Sequence, residues 1–239
     1  MQEGVRFILY ILLGMLLVFM SLATVCAVSY AAPEISIVTE YITMDDVLQR
    51  ARTFDLVAVS YRALSCTLVK MFTKSHWSHV GLVYRTSATE IAVIEALRLH
   101  ETKTNSLKTE ILVTPWSTWL KRNAPFPMLY VPQRHTVHGS VRKTETLVTE
   151  VVKCQKQNVR VNMSLFDWTK TLKYTKRTVQ TDESDSLKTE FFCTEFIAHL
   201  LQVTGTVPGY KHCANYTPVE LLFYGAAHYE NPKYIVPRL

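Results

Sequence analysis

The chain has 239 residues, of which 48 % are hydrophobic and 19 % are charged, and its formal net charge is +6. This composition is typical of a globular protein that carries one hydrophobic anchor. It has only seven glycines and no glycine-rich phosphate loop, which argues against nucleotide binding through a Walker or Rossmann loop. The basic excess indicates a solvated face or attraction to anionic headgroups. Without a recognition motif, we expect no nucleic-acid partner.

An uncharged run of 26 residues, from Phe7 to Ala32, stands near the N-terminus. About 20 apolar residues cross a bilayer as a helix, whereas the apolar region of a signal peptide has about 7–15. We therefore predict a single-pass signal anchor in residues 1–33 and one globular domain in residues 34–239. Arg6 precedes the run and acidic residues follow it, so the positive-inside rule places the domain outside the cytoplasm. The small residues at 29–32 leave a cleaved signal, and hence secretion, open.

Hydrophobic periodicity and turn signals predict an alternation of short helices and strands. Strands are predicted at 54–59, 78–84, 90–97, 110–113, 126–131 and 234–236. Helices are predicted at 44–48, 63–72, 115–120, 140–157, 189–203 and 217–222, and 175–188 is predicted to be a loop. Three strands follow one another between 78 and 113, which is typical of an antiparallel meander. We therefore predict one α+β domain.

Cys193 stands at the start of the predicted helix 189–203. Unpaired backbone N–H groups and the helix dipole at this end favour the thiolate, which is the reactive form of cysteine. The alternative is an inert cysteine that packs in the core beside Ile197, since free cysteines are commonly buried.

His79 and Glu95 are the predicted partners of this thiol. His79 stands in an apolar strand, and Gly81 two residues later leaves room for a close neighbour. Glu95 lies in a second apolar strand, where a carboxylate is costly to bury unless it is paired. If the two strands form a hairpin, Glu95 can lie beside the His79 ring and orient it; an exposed Glu95 is the alternative. A zinc site built from His76, His79, His212 and Cys213 fits no common spacing, so we predict no metal and no cofactor.

Several short motifs resemble, in order, the circularly permuted branch of the NlpC-type papain-like superfamily. That branch includes bacterial and large-DNA-virus proteins and relatives of lecithin:retinol acyltransferase. The similar segments are Phe54-Asp55-Leu56-Val57-Ala58-Val59, Ser78-His79-Val80-Gly81-Leu82-Val83-Tyr84, Glu95, Val113-Thr114-Pro115, Phe192-Cys193-Thr194-Glu195-Phe196 and Tyr216-Thr217-Pro218-Val219-Glu220-Leu221-Leu222. The chain departs from the family's pattern at Phe54, where glycine is usual.

The resemblance implies a papain-like antiparallel sheet packed against the cysteine-bearing helix, and a thiol hydrolase or acyltransferase that acts on amide or ester bonds. It implies Cys193 as nucleophile, His79 as base, Glu95 as the orienting residue and the Cys193 backbone N–H as an oxyanion donor. With the anchor, it favours a membrane lipid or a membrane-proximal peptide or amide as substrate. A catalytically silent, membrane-tethered binding or structural protein of the same fold is the alternative. The sequence leaves the acyl acceptor and the oligomeric state open.

Overall fold

The computed structural model describes part of the chain. The described residues are 10–11, 13–18, 40–73, 75–101, 106–133, 141–157, 160–161, 190–191, 193–207, 213, 216–224 and 232–236. By its contacts the chain divides into two compact units, Met1–Ile37 and Val38–Leu239.

In the first unit, residues 10–11 and 13–18 are helical. The search for a helix of sufficient length and hydrophobicity to span a membrane finds none in the part of the chain that the structure describes. The predicted anchor at residues 1–33 falls mostly outside the described residues, so it stays a prediction.

The second unit is a mixed α+β fold built on a seven-stranded sheet. Its strands are β1 (Glu40–Thr43), β2 (Leu56–Val59), β3 (His79–Arg85), β4 (Ile91–Glu101), β5 (Ser106–Pro115), β6 (Met128–Val131) and β9 (Lys233–Val236). Their order across the sheet is β1-β9-β6-β2-β3-β4-β5. The strands β3, β4 and β5 form the predicted antiparallel meander. The predicted sheet is antiparallel throughout. In the structure one pair of strands, β1 and β9, is parallel. A separate two-stranded sheet pairs β7 (Arg160–Val161) with β8 (Glu190–Phe191).

The helices lie between the strands along the chain. They are α1 (Met44–Arg50), α2 (Leu64–Thr73), α3 (Trp116–Asn123), α4 (Val141–Lys156) and α5 (Cys193–Val203), and a π-helical turn spans Glu220–Tyr224. Most of these match the predicted helices to within a few residues. The predicted helix 189–203 instead begins at Cys193, because Glu190 and Phe191 pair as strand β8. The predicted loop 175–188 lies outside the described residues.

Both faces of the sheet are covered, which explains the nearly continuous apolar runs of β2 and β3. On one face, Leu56, Leu82 and Ile94 pack against α4 and α5. Leu147 of α4 and Phe196 of α5 belong to the same core. The opposite face packs its alternate residues against α1 and α3. That second cluster includes Val57, Val59, Val83, Val93, Val47, Trp116 and Trp119. The side chains of β2 thus alternate between two cores rather than between core and solvent.

The turn that leads into β2 has an unusual backbone. Phe54 has a φ of +81° although it is not glycine, and its side chain is fully buried. The neighbouring Asp55 accepts hydrogen bonds from the Tyr130 hydroxyl at 2.6 Å and from the backbone N–H of Gln133 at 2.7 Å. A left-handed conformation is strained for an L residue with a side chain.

Candidate active site

Cys193 is the first residue of α5, so its surroundings include backbone N–H groups that the helix leaves unpaired. The thiol is partly buried and forms no disulfide. Its sulfur lies near His79 and near the backbone N–H groups of Val80 and Thr194. The predicted helix-start position of this cysteine is therefore present, with strand β3 next to it.

His79 is the first residue of β3 and is buried. Its Nε2 atom lies 3.0 Å from Oε2 of Glu95, which stands on the neighbouring strand β4. The side chain of Cys193 lies near enough to the imidazole to favour its protonated form. Since Nε2 is engaged by the carboxylate, Nδ1 is the ring nitrogen left for the thiol. The structure thus places Cys193, His79 and Glu95 near one another, with His79 between the other two.

Gly81 lies on the same face of β3 as His79 and leaves room for a side chain of the neighbouring strand. A Cβ atom at Gly81 would lie 2.5 Å from Cγ1 of Val93, well inside van der Waals contact. Val93 stands on β4 two residues before Glu95, so this close approach holds the strand that carries the carboxylate against β3. The predicted close neighbour of Gly81 is therefore Val93.

The Glu95 carboxylate is fully buried and fixed at both oxygens. Oε2 faces His79, while Oε1 accepts hydrogen bonds from Thr114 Oγ1 at 2.9 Å and from Arg122 Nη2. Burial alone raises the pKa of a carboxyl group. Here the hydrogen bond and charge of His79 and the Arg122 guanidinium outweigh burial and lower the pKa of Glu95. Glu95 is thus an anion of defined orientation rather than the exposed strand glutamate of the alternative interpretation.

The imidazole and the thiol shift each other's protonation. Burial disfavours the imidazolium, but the hydrogen bonds and negative charges of Cys193 and Glu95 outweigh it and raise the pKa of His79 to about 9. Burial also disfavours the thiolate, but His79 and the backbone N–H groups of Val80 and Thr194 lower the pKa of Cys193 below its usual value. A thiolate–imidazolium pair is the protonation state that these two directions favour.

Tyr61 and Asn123 form a wall beside the imidazole. The Tyr61 ring lies 5.7 Å from the His79 ring, centroid to centroid, and its hydroxyl donates to Oδ1 of Asn123 at 2.7 Å. Asn123 is buried at the end of α3 and donates to the Trp119 carbonyl. The hydroxyl of Tyr61 is therefore a structural donor rather than a free oxyanion donor.

The sequence analysis missed Arg122 and Thr114 as partners of Glu95. Thr114 stood within a quoted motif, but a threonine on the same face of β5 as Leu112 gives little warning of a buried hydroxyl. A signal for Arg122 was the short helix after β5: the tryptophans at 116 and 119 mark its buried side, and Arg122 follows Trp119 by three residues. Such spacing places the arginine near the same side of the helix.

The weaker candidates from the sequence do not join this group within the described residues. Cys213 lies 4.0 Å from Oε1 of Glu195, and His212 lies outside the described residues. Among the described residues, Cys66, Cys154, Cys193 and Cys213 form no disulfide bond.

Comparisons with known proteins add little to this geometry. No protein-family model matches the chain, and no curated protein matches its sequence. Among solved structures, the fold is similar to the crystal structure of metalloprotein yiiX, a DUF1105 protein from Escherichia coli O157:H7. The TM-score is 0.43 at 14 % sequence identity, and the match covers 65 % of this chain and 67 % of that one. A similarity of this size supports no conclusion about chemistry.

Proposed function

We propose that this chain is a thiol hydrolase or acyltransferase that cleaves an amide or ester bond through Cys193, His79 and Glu95. The observation that carries the proposal is the position of His79, which hydrogen-bonds with the Glu95 carboxylate and lies near the Cys193 thiol. A nucleophile, a base and a group that orients the base are the parts that such chemistry requires.

The proposed reaction has two steps. The Cys193 thiolate adds to the substrate carbonyl carbon, and the imidazolium of His79 then gives its proton to the departing amine or alcohol, which leaves a thioester. In the second step His79 takes a proton from water or another acceptor as that acceptor attacks the thioester, and the acyl group departs from sulfur. The backbone N–H of Cys193, at the open end of α5, is the proposed donor to the oxyanion.

The resemblance to the permuted NlpC-type papain-like superfamily supports the same proposal. The strand that carries the histidine, the strand that carries the acidic residue and the helix that carries the cysteine follow one another along the chain in the order of that family. Helix α5 packs against β3 and β4, the two strands that bear the other members of the group. The positive φ of Phe54 is a conformation that glycine adopts without strain, and glycine is the usual residue of the family at this position.

The predicted membrane anchor and the basic net charge are the basis of the proposal for the substrate and the location. With residues 1–33 as a membrane anchor and a net charge of +6, the domain would work outside the cytoplasm beside anionic headgroups. A membrane lipid, or an amide or peptide close to the membrane, is the substrate class that this location supplies.

Trapping the thioester tests the proposal. The purified full-length protein is incubated with p-nitrophenyl butyrate, and acylation of each cysteine is measured by peptide mass spectrometry before and after hydroxylamine. We expect a hydroxylamine-labile butyryl group on Cys193 and nitrophenol release that is lost in Cys193→Ala. Cys213→Ala, which removes another partly buried thiol, is the matched control and should retain both signals.

The silent binding protein of the sequence analysis predicts a different result. If Cys193 acquires no acyl group, or if Cys213 acquires as much, the proposed activity is wrong and the same fold would serve only as a scaffold.

A further inference from the structure

A second group of reactive side chains lies between α4 and α5, apart from Cys193, His79 and Glu95. Glu150 and Cys154 stand four residues apart on one face of α4, and His199 faces them from α5. Oε1 of Glu150 lies 3.0 Å from Nε2 of His199 and 3.8 Å from Sγ of Cys154. The three donor atoms all lie within 4.8 Å of one another.

The chemistry of these donors matches one class of ligand. Thiolate sulfur, imidazole nitrogen and carboxylate oxygen together are the donor set that proteins use for zinc, which binds three or four of them in a tetrahedron. Two of the three come from successive turns of a helix, so small side-chain movements suffice to direct them at one point. Within the described residues, no other three such donors converge in this way.

Burial and exposure also suit an ion. Cys154 is fully buried, which limits competing reactions of its sulfur, whereas the side chain of His199 is 23 % exposed and leaves a route from solvent. The Lys153 ammonium lies 3.7 Å from Oε2 of Glu150, on the carboxylate oxygen that does not face His199. Such outer contacts help to orient a ligand.

A hydrogen-bonded link between two helices is the simpler interpretation. The pair of Glu150 and His199 would suffice for such a link, and it does not require a thiol at the same carboxylate oxygen. Thiols are weak hydrogen-bond donors, so Cys154 adds little to the link but would add a strong ligand to a metal site.

We propose that Glu150, Cys154 and His199 bind one divalent d-block cation of the zinc type, with water in the fourth position, and that the ion fastens α4 to α5. In the metal-free protein, burial and the Glu150 charge raise the pKa of Cys154 to about 11. The thiol is therefore protonated before binding, and the incoming dication displaces that proton to solvent. Because α5 begins with Cys193, the ion would brace the helix that carries the proposed nucleophile.

Cobalt substitution tests this site without reference to activity. Full-length Cys193→Ala protein, which removes the other thiol–imidazole pair, is titrated with Co²⁺ and followed by absorption spectroscopy. We expect one bound equivalent and a thiolate-to-cobalt charge-transfer band. Cys154→Ser in this background should lose the band, whereas Cys213→Ser, which removes a thiol that also lies beside a glutamate, should keep it.

A second variant covers the case in which Cys154→Ser does not fold. His199→Gln changes a partly exposed side chain, keeps a hydrogen-bond donor for Glu150, and should weaken Co²⁺ binding at least about tenfold. Circular dichroism checks that each variant is folded. The proposal is wrong if the Cys193→Ala protein binds no Co²⁺, if the band survives in folded Cys154→Ser, or if His199→Gln binds Co²⁺ as tightly as its parent. A metal-free result would leave the acyl-transfer proposal untouched.

Discussion

At the scale of single residues, Glu95 decides what His79 can do. It is fully buried, and its two oxygens are divided between His79 on one side and Thr114 and Arg122 on the other. A fixed carboxylate selects one ring orientation and favours the imidazolium, which in turn favours the thiolate of Cys193. The reactivity of Cys193 thus depends on a residue that the thiol does not need to touch.

Replacing the Glu95 carboxylate by an amide should remove its charge and keep its shape, so that the effect of the charge alone can be measured. In Glu95→Gln the negative charge beside the imidazole is lost, so the pKa of His79 should fall below the wild-type value of about 9. The ratio of the thiolate–imidazolium pair to the neutral pair falls about tenfold for each unit by which the pKa of His79 drops relative to that of Cys193. We therefore expect alkylation of Cys193 at pH 7 to slow by up to about tenfold for each such unit. The rate is measured with iodoacetamide by peptide mass spectrometry.

The control for this variant is Glu90→Gln, an exposed glutamate next to the start of the same strand β4. It should label at the wild-type rate. If Glu95→Gln also labels like the wild type, Glu95 has no part in activating the thiol.

At the scale of elements, the start of β2 shows how one strained residue is tolerated. The positive φ of Phe54 costs about 1–3 kcal/mol. Truncation of a buried phenylalanine costs about 3–5 kcal/mol, and the Phe54 ring is fully buried in the core on the α4 and α5 side of the sheet. Burial of the ring therefore outweighs the strain, which explains how a residue other than glycine is accommodated.

This balance predicts that glycine at position 54 is more stabilising than alanine, the reverse of their usual order. Phe54→Gly loses the ring but relieves the strain, whereas Phe54→Ala loses the ring and keeps a Cβ at positive φ. Both should lower the free energy of unfolding, and we expect Phe54→Ala to be the less stable of the two by about 1 kcal/mol. Urea unfolding measures both. An alanine variant that is more stable than the glycine variant would contradict the strain at Phe54.

At the scale of the whole molecule, Asp55 connects parts of the chain that are far apart in sequence. It stands just before β2, and its partners Tyr130 and Gln133 are 75 and 78 residues further along, at the end of β6. Burial raises the pKa of Asp55 from its usual value of 3.8 to about 6, although the hydrogen bonds from Tyr130, Gln133 and Arg52 oppose it.

The sign of this shift fixes a pH dependence. A carboxyl group whose pKa is raised by folding contributes stability fully below pH 3.8, and that contribution is lost as the pH rises through about 6. A shift of about two units corresponds to about 3 kcal/mol. In Asp55→Asn the change in unfolding free energy between pH 4 and pH 7 should therefore differ from the wild-type change by up to about 3 kcal/mol. Equal pH dependence in the two proteins would show that Asp55 does not titrate as described.

Local features of this fold could be predicted from the sequence, and distant contacts could not. Thr43 is the N-cap of α1, and its side chain accepts a hydrogen bond from the Asp46 N–H, as the spacing of a helix cap predicts. Gly205, with a φ of +62°, ends α5 as glycine commonly does. By contrast, the parallel pairing of β1 with β9 joins the two ends of the domain, and no local pattern encodes a partner so distant.

The three main residues of the candidate site could be singled out from the sequence, but the residues that support them could not. Cys193, His79 and Glu95 have residue types and local settings that indicate chemistry, so the sequence could single them out. Arg122 was not found because its role depends on where α3 packs relative to β4. The Glu150, Cys154 and His199 group was missed for the same reason, since its members belong to two helices whose contact is a property of the tertiary fold.

The most direct test of the account is the pH profile of Cys193 alkylation, followed residue by residue in wild type and His79→Ala. Wild-type Cys193 should react with iodoacetamide well below the pH at which the partly buried Cys213 does, and its profile should change again near pH 9 as His79 loses its proton. In His79→Ala the onset should move up to the range of an ordinary thiol. Profiles for Cys193 that coincide in the two proteins would contradict the pairing of its sulfur with the imidazole.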